Sequence, residues 1–247
     1  MERFNENSLV IVKELVPESH PEFKMWECIL RAGSHWEPEL FPLSDRMQMF
    51  YFLNTTGYAA TAKKAWMISE DSLFIPNYDK EDFWLEAGEN DLRFVWFQGK
   101  MNDYDQKEFI DYHIILPTLK TKEKSFSFTE YYTGGAGSSI ISRRLVLDTA
   151  FGRWFVGIDE GEGVQAFVSS HVLPHFHQWN YPLPGSDILY TLDGKEYRAA
   201  EGDAYYIPKA AESSAKPVNG GKIRYLWIKF ASDGFPVGRD GYPGSEE

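Results

Sequence analysis

Three of the six histidines in this 247-residue chain lie within seven positions of one another, in the stretch SSHVLPHFHQW. They are His171, His175 and His177. Imidazole is a common ligand of Fe, Ni, Zn and Cu in proteins, so the cluster suggests a metal site. The alternative is that these rings only hydrogen-bond to water or to the backbone.

The spacing of the histidines limits which of them can share an ion. If one strand runs through the cluster, alternation places all three on one face. His175 and His177 are then about 6.6 Å apart at the backbone, at a rise of about 3.3 Å per residue, which one ion can span. His171 lies about 13 Å from His175 on the same estimate, so it joins the set only if Pro174 bends the chain.

The elements around the cluster have the pattern of short antiparallel strands. In DILYTLDGKEYRAAEGDAYYIP, an apolar strand leads to Asp193-Gly194, a typical hairpin turn. A second turn follows at residues 201–203, and the next strand ends at Pro208, which cannot donate a ladder hydrogen bond. Strong helix patterns are few. The fold class predicted from this pattern is all-β, of the sandwich or barrel type.

The chain also repeats itself. LRFVWF (92–97) resembles IRYLWI (223–228), and LFIPNYDKED (73–82) resembles AYYIPKAAES (204–213). We also match MFYFLNTTG (49–57) to ILYTLDG (188–194). Three matches in the same order predict a duplicated unit. We therefore expect an N-terminal barrel over residues 1–115, a linker or crossover over 116–139, and a C-terminal barrel over 140–247.

Composition excludes several classes of function. The net charge is −12 and no run of Lys and Arg is present, which argues against nucleic acid and anionic membranes as partners. Cys28 is the sole cysteine, so no intrachain disulfide is possible. No signal-peptide pattern or long apolar run is found. These features together predict a cytoplasmic protein.

The motifs taken together resemble the cupin superfamily. The segments HFH, DILYTLDG, EGDAYYIP and RYLWIKF follow one another in the order of its conserved motifs, across roughly residues 170–230. The first copy matches more faintly, with a degenerate motif. The resemblance implies two tandem antiparallel jelly-roll barrels, a bicupin. The C-terminal half also resembles the sugar-sensing cupin domains of AraC-type regulators.

The resemblance implies a ligand set for the metal. His175 and His177 match the His-x-His pair, and Asp187 matches the acidic ligand, with His171 as an additional candidate. The family places its acidic residue four or five positions after the second histidine, whereas here the interval is ten. The family's third histidine falls near Ser213, next to Glu212. The implied cofactor is a single divalent transition metal (Fe, Mn, Ni or Zn), whose identity stays open.

Two classes of function follow. The first is a small-molecule enzyme of isomerase, lyase or dioxygenase type, with its metal in the C-terminal barrel and Tyr190 or Glu212 as acid or base. The second is a metal-free module or sensor that binds a sugar or an organic acid without turnover. In either case the substrate-binding candidates are Trp179, Tyr181, Tyr205 and Arg224. The chain is expected to be a monomer or a homodimer.

Overall fold

The computed structural model describes residues 9–147 and 149–234. By the density of its internal contacts, the chain divides into two compact units. The first contains residues up to Gln106 together with His113–Lys124, and the second contains Lys107–Tyr112 together with residues from Ser125 onward. In the described part of the chain, no helix has the length and apolar character that a membrane span requires.

The first unit is built from ten strands in two antiparallel sheets. Its large sheet has the order β1-β2-β9-β4-β7-β10 and its small sheet the order β3-β8-β5-β6. The helix α1, Asp103–Tyr112, follows β9. The strands are β1 Leu9–Glu14, β2 Phe23–Leu30, β3 His35–Trp36, β4 Arg46–Phe52, β5 Gly57–Thr61, β6 Ala65–Ile68, β7 Ser72–Ile75, β8 Phe83–Ala87, β9 Leu92–Lys100 and β10 Thr118–Thr121.

The second unit repeats this arrangement. Its large sheet has the order β11-β12-β13-β20-β15-β18 and its small sheet the order β14-β19-β16-β17. Short 3₁₀ helices occupy Gly134–Ala136 and Val218–Gly220. The strands are β11 Phe126–Phe128, β12 Ile141–Arg144, β13 Trp154–Glu162, β14 Val168–Val172, β15 His177–Pro182, β16 Asp187–Leu192, β17 Lys195–Ala200, β18 Tyr205–Ile207, β19 Glu212–Pro217 and β20 Lys222–Phe230.

The strand orders show which parts of the two units correspond. β2-β9-β4-β7 takes the places of β13-β20-β15-β18, and β3-β8-β5-β6 takes those of β14-β19-β16-β17. The sequence matches on β9 with β20 and on β7 with β18 are therefore confirmed. The third match was wrong, because residues 49–52 lie on β4, which corresponds to β15 rather than to β16. Both strands are short apolar runs before a turn, so their sequences did not distinguish them.

The segment expected to link the two barrels contributes strands to each. β10 pairs with β7 in the first unit, and β11 pairs with β12 in the second. Residues 116–139 thus supply an edge strand to one large sheet and an edge strand to the other. The all-β fold class, with two antiparallel barrels, is confirmed.

Candidate functional site

The second unit contains a pocket between its two sheets, with an empty volume of about 300 Å³ including its mouth. Eight of its twelve lining residues carry a hydroxyl or amide group, one carries an imidazole and three are aliphatic, although most of the accessible pocket surface is apolar. The lining residues are Tyr132, Val168, His171, Gln178, Asn180, Tyr190, Tyr205, Ile207, Ser213, Ser214, Ala215 and Tyr225.

Strand β15 contributes two amides to this pocket. Side chains alternate across a strand, and Gln178 and Asn180 face the interior, whereas His177 and Trp179 face the opposite side. The Nε2 of Gln178 donates to the Oδ1 of Asn180 at 2.8 Å, and the Asn180 side chain hydrogen-bonds to the Tyr205 hydroxyl. The Oε1 of Gln178 is buried and has no partner among the described residues. A buried acceptor left without a donor costs about 1–3 kcal/mol, so a donor that reached this atom would be stabilising.

Two tyrosines form one wall of the pocket. The rings of Tyr190 and Tyr205 stack with centroids 4.0 Å apart, and Tyr197 stacks on Tyr190 at 5.3 Å. Burial raises the pKa of both Tyr190 and Tyr205, so both phenols stay protonated at neutral pH. The wall thus offers aromatic surface together with neutral hydroxyl groups.

On β14, His171 reaches the pocket from the small sheet. Its ring stacks on Tyr132 at 3.8 Å, and its Nδ1 lies 2.9 Å from the carbonyl oxygen of Ser169. Burial lowers the pKa of His171 to about 4, against the opposing effect of the Ser169 hydrogen bond. The imidazole is therefore neutral at pH 7 and does not attract anions.

A layer of buried charges lies beside the pocket tyrosines. Lys229 donates from Nζ to Glu130 at 2.9 Å and to the Tyr132 hydroxyl at 2.6 Å. Asp159 accepts from the Tyr225 hydroxyl at 2.7 Å and from the Trp227 indole at 3.1 Å. The layer therefore fixes the phenol groups of Tyr132 and Tyr225, whose rings line the pocket.

Burial also changes the acidity of this layer. Burial first, and then the charge of Glu130, raise the pKa of Asp159 to about 6, although the Tyr225 hydrogen bond opposes them. Gly157 leaves the space that the Trp227 indole needs, because a Cβ at Gly157 would lie 2.1 Å from the Trp227 ring.

The structure does not bring the predicted metal ligands together. His177 faces away from the pocket, with its Nδ1 2.5 Å from the Tyr206 hydroxyl, and His175 lies in the turn between β14 and β15. Asp187 faces outward and forms a bidentate pair with Arg198. Of the four candidates only His171 lines the pocket. Among residues 9–147 and 149–234, no three His, Cys, Asp or Glu side chains are placed to hold an ion.

The physical reason is that the histidines do not share a strand. His171 lies on β14 in the small sheet and His177 on β15 in the large sheet, with a turn at residues 173–176 between them. The interior donors that remain are amides, hydroxyls and one imidazole whose Nδ1 is already bonded. This set does not fit a resident transition metal, which takes several imidazole, carboxylate or thiolate ligands.

The other predicted site residues also divide between the two faces of the sheets. Tyr190 and Tyr205 line the pocket. The remaining candidates do not. Trp179 and Tyr181 are fully buried on the other face of β15, Arg224 pairs with Glu160 at 3.6 Å, and Glu212 accepts from the Ser170 hydroxyl at 2.5 Å.

The residues of the site that were not found from the sequence include Tyr132, Asp159, Gln178, Asn180, Tyr225 and Lys229. One signal was available for the two amides. Asn180 precedes Asp187 by seven positions, nearer to the family interval of four or five than the ten that separate His177 from Asp187. The buried charges gave no local signal, because their partners lie about 70–100 residues away in sequence.

The matching interior of the first unit is filled. In the first unit, Phe50 pairs with Trp96 of β9. The corresponding pair in the second unit is Asn180 with Trp227 of β20. Phe74 likewise takes the place of Tyr205. Trp36 fills the space beside them, stacked on Phe94 at 6.0 Å. Aromatic packing here replaces Asn180 and Tyr205 of the second barrel, whereas Gln48 keeps a buried amide at the position of Gln178.

Cys28 has the position in the first unit that Asp159 has in the second. Cys28 pairs with Phe94, and Asp159 pairs with Tyr225. Burial raises the pKa of its thiol to about 12. Cys28 is therefore an inert core residue rather than a nucleophile.

Solved structures that resemble this chain have the same double-barrel fold. A cupin 2 conserved barrel domain protein from Leptotrichia buccalis has a TM-score of 0.57 at 16% identity and covers 93% of this chain and 92% of its own. An IolB-like protein from Salmonella typhimurium LT2 has a TM-score of 0.65 at 13% identity, with 92% and 93% covered. A variant of oxalate decarboxylase from Bacillus subtilis has a TM-score of 0.61 at 12% identity, with 86% and 69% covered.

These similarities establish the fold alone: the chain has the double-barrel fold of these proteins. Identities of 12–16% carry no substrate, metal or reaction across to this protein. No protein-family model matches the sequence, and no curated protein sequence is significantly similar to it.

Proposed function

We propose that the second barrel binds a small polar organic molecule in the pocket lined by Gln178, Asn180, Tyr190 and Tyr205, without a resident transition metal. The observation that carries this proposal is the contrast between the two barrels. The same strands enclose a polar pocket in the second unit and a packed aromatic core in the first.

Packing energetics support the contrast as a sign of function. A barrel interior filled by aromatic side chains is the more stable arrangement, because each buried aromatic ring contributes several kcal/mol of hydrophobic stabilisation. The second barrel instead keeps amides and hydroxyls facing a space that side chains do not fill. Polar groups around an unfilled interior are typical of a ligand site.

The pocket limits the size of the ligand. The empty volume of about 300 Å³ includes the open mouth, so it is an upper limit on the space available to a ligand. A monosaccharide, a short polyol or a small organic acid is therefore the largest class that fits. Because the interior donors do not fit a transition metal, the binding module is favoured over the metal-dependent enzyme.

Catalysis without a metal is the second candidate, and Asp159 is the observation that favours it. This buried carboxyl group, with its pKa raised to about 6, touches the hydroxyl of Tyr225, which lines the pocket. A group that titrates near neutral pH is suited to proton transfer. Ligands found by binding are therefore also to be followed for conversion.

The test is a thermal-stability screen of the full chain, purified without chelator, against sugars, polyols and small organic acids. A ligand at 100 times its Kd stabilises a protein by about 2.7 kcal/mol, which corresponds to a rise in Tm of about 5–10 °C for a chain of this size. We expect such a rise in the parent and its loss in Asn180→Leu. The matched control is Phe50→Leu, at the corresponding position of the first barrel, which should keep the rise.

Elemental mass spectrometry on the same preparation checks the second part of the proposal. We expect much less than one transition-metal ion per chain. One ion per chain would contradict the metal-free site, and no stabilisation by any probe would contradict the binding function.

A further inference from the structure

We propose that the pocket of the second barrel selects an uncharged, polyhydroxylated molecule of monosaccharide size or smaller over a carboxylate of the same size. This inference rests on the proposed binding function and names its ligand class. Two independent observations carry it: the direction of the hydrogen bonds among the pocket amides, and the distribution of charge around the pocket.

The first observation concerns Gln178 and Asn180. The Gln178 amide donates to Asn180, and the Asn180 side chain bonds in turn to the Tyr205 hydroxyl. One N–H group of each amide is thus used within the chain of side chains, and the carbonyl oxygen of Gln178 is buried without a partner among the described residues. Gln178 is only 6% exposed, so water does not readily satisfy this oxygen. A ligand that donates a hydrogen bond satisfies it, whereas a carboxylate cannot.

The second observation is the absence of positive charge facing the pocket. The described residues that line the pocket include no Lys, Arg, Asp or Glu. His171 is the histidine among them, and it is neutral at pH 7 because burial lowers its pKa to about 4. Lys229 is the cation behind the wall, and it is already paired with Glu130. Asp159 adds a second carboxyl group to this layer. A bound anion would therefore meet one cation that Glu130 already neutralises and one further acidic group, Asp159.

Burial makes this balance decisive. A carboxylate that enters a pocket without a cation loses its hydration and gains no compensating charge, which costs several kcal/mol. A hydroxyl group both donates and accepts, so it can bond to the Gln178 oxygen as donor and to Ser213 or Tyr190 as acceptor. The stacked phenol rings of Tyr190 and Tyr205 add apolar surface for the carbon skeleton of such a ligand.

The experiment compares matched pairs of probes by isothermal titration calorimetry at pH 7.5. D-glucose is paired with D-glucuronate, and erythritol with tartrate, so that size is held nearly constant while charge changes. We expect the uncharged member of a binding pair to bind at least tenfold more tightly. We further expect Gln178→Met to weaken its binding at least tenfold, because the acceptor is removed while the length of the side chain is kept.

The matched control is Gln48→Met in the first barrel. Gln48 corresponds to Gln178, because Gln48 pairs with Gln98 and Gln178 pairs with Lys229. The Nε2 of Gln48 donates to the Glu39 carbonyl in the first barrel, whose core is filled. Ligand binding should be unchanged in this variant. Should Gln178→Met fail to fold, the comparison of the charged and uncharged members of each probe pair on the parent protein still decides the inference.

The outcomes separate the inference from the function on which it rests. Tighter binding of the carboxylate would mean that the amide chain runs in the reverse direction, with an N–H group facing the pocket, and would overturn the inference alone. Equal binding of both members would also overturn it. Binding of no probe from either class would count against the proposed function itself.

Discussion

Lys229 is the residue whose surroundings are hardest to explain by stability alone. It is 8% exposed, lies over the Trp227 ring at 4.8 Å and bonds to Glu130 and Tyr132. A buried ion pair is seldom more stabilising than apolar side chains of the same volume. Its visible effect is positional, because it fixes the Tyr132 hydroxyl, and the Tyr132 ring forms part of the pocket. The charge layer therefore belongs to the site rather than to the core.

The first prediction concerns this pair. Lys229→Met should lower the free energy of unfolding by about 3–5 kcal/mol, because it leaves Glu130 buried without its cation. The double variant Lys229→Met/Glu130→Gln should recover part of the loss, since no unpaired charge remains. Urea denaturation measures both values. The control is Arg198→Met, which removes the cation of an exposed pair and should cost far less; an equal cost would contradict the argument.

At the scale of the element, β15 shows how a one-residue difference in strand phase moves the site. Alternation around Gln178 sends His177 and Trp179 to the outer face, where they stack with Tyr206 and Trp154. The histidine motif in the sequence is thus one residue out of phase with the side chains that reach the pocket. Because side chains alternate with a period of two, a shift of one residue places Gln178 and Asn180 in the pocket instead of the predicted His177 and Trp179.

The second prediction tests the strand phase directly. In His175→Ala/His177→Ala the ligand-induced rise in Tm should match that of the parent, because neither ring reaches the pocket. Asn180→Leu, three positions further along the same strand, should abolish that rise. The double variant should lose some stability, since the contact between His177 and Tyr206 is removed. Loss of the ligand-induced rise in the double variant would contradict the assigned phase.

The fold was more predictable than the site for a physical reason. Strand alternation, hairpin turns and the Arg-aromatic-aliphatic-Trp repeat are local signals, and they correctly predicted two antiparallel barrels. The phase of β15 was set by the turn at residues 173–176, whose local mark was Pro174, and a single proline did not show that the chain passes there from one sheet to the other. The contacts of Lys229 with Glu130 and of Asp159 with Trp227 join strands distant in sequence, so only the folded chain shows them.

At the scale of the whole molecule, the two barrels differ in their interiors: the first has a filled core, and the second has the proposed binding pocket. The first barrel buries Phe50, Phe74 and Trp36 where the second keeps polar groups. Each unit has its own core, so the first can be packed for stability while the second retains its less stable interior. Any measurement of stability on the full chain is therefore a sum over two unlike barrels.

The second barrel holds two buried groups whose effects on stability oppose each other as pH changes. The pKa of Asp159 is raised from 3.8 to about 6, so the folded state holds its proton longer than the unfolded state. That contribution is complete below pH 4 and is lost as pH rises to 6. The pKa of His171 is lowered from 6.5 to about 4, so its contribution is present above pH 6.5 and is lost as pH falls to 4.

Each pKa shift corresponds to about 3 kcal/mol of unfolding free energy, at 1.36 kcal/mol per pKa unit. The pH ranges over which the two contributions change overlap. We therefore predict that they nearly cancel in the parent, and that single substitutions separate them. Between pH 4 and pH 6.5, Asp159→Asn should gain about 3 kcal/mol of unfolding free energy relative to the parent, and His171→Phe should lose about as much. Urea denaturation at half-unit pH steps gives these differences, from which the titration of other carboxylates cancels. Differences that stay constant with pH would show that neither group is held away from its ordinary pKa.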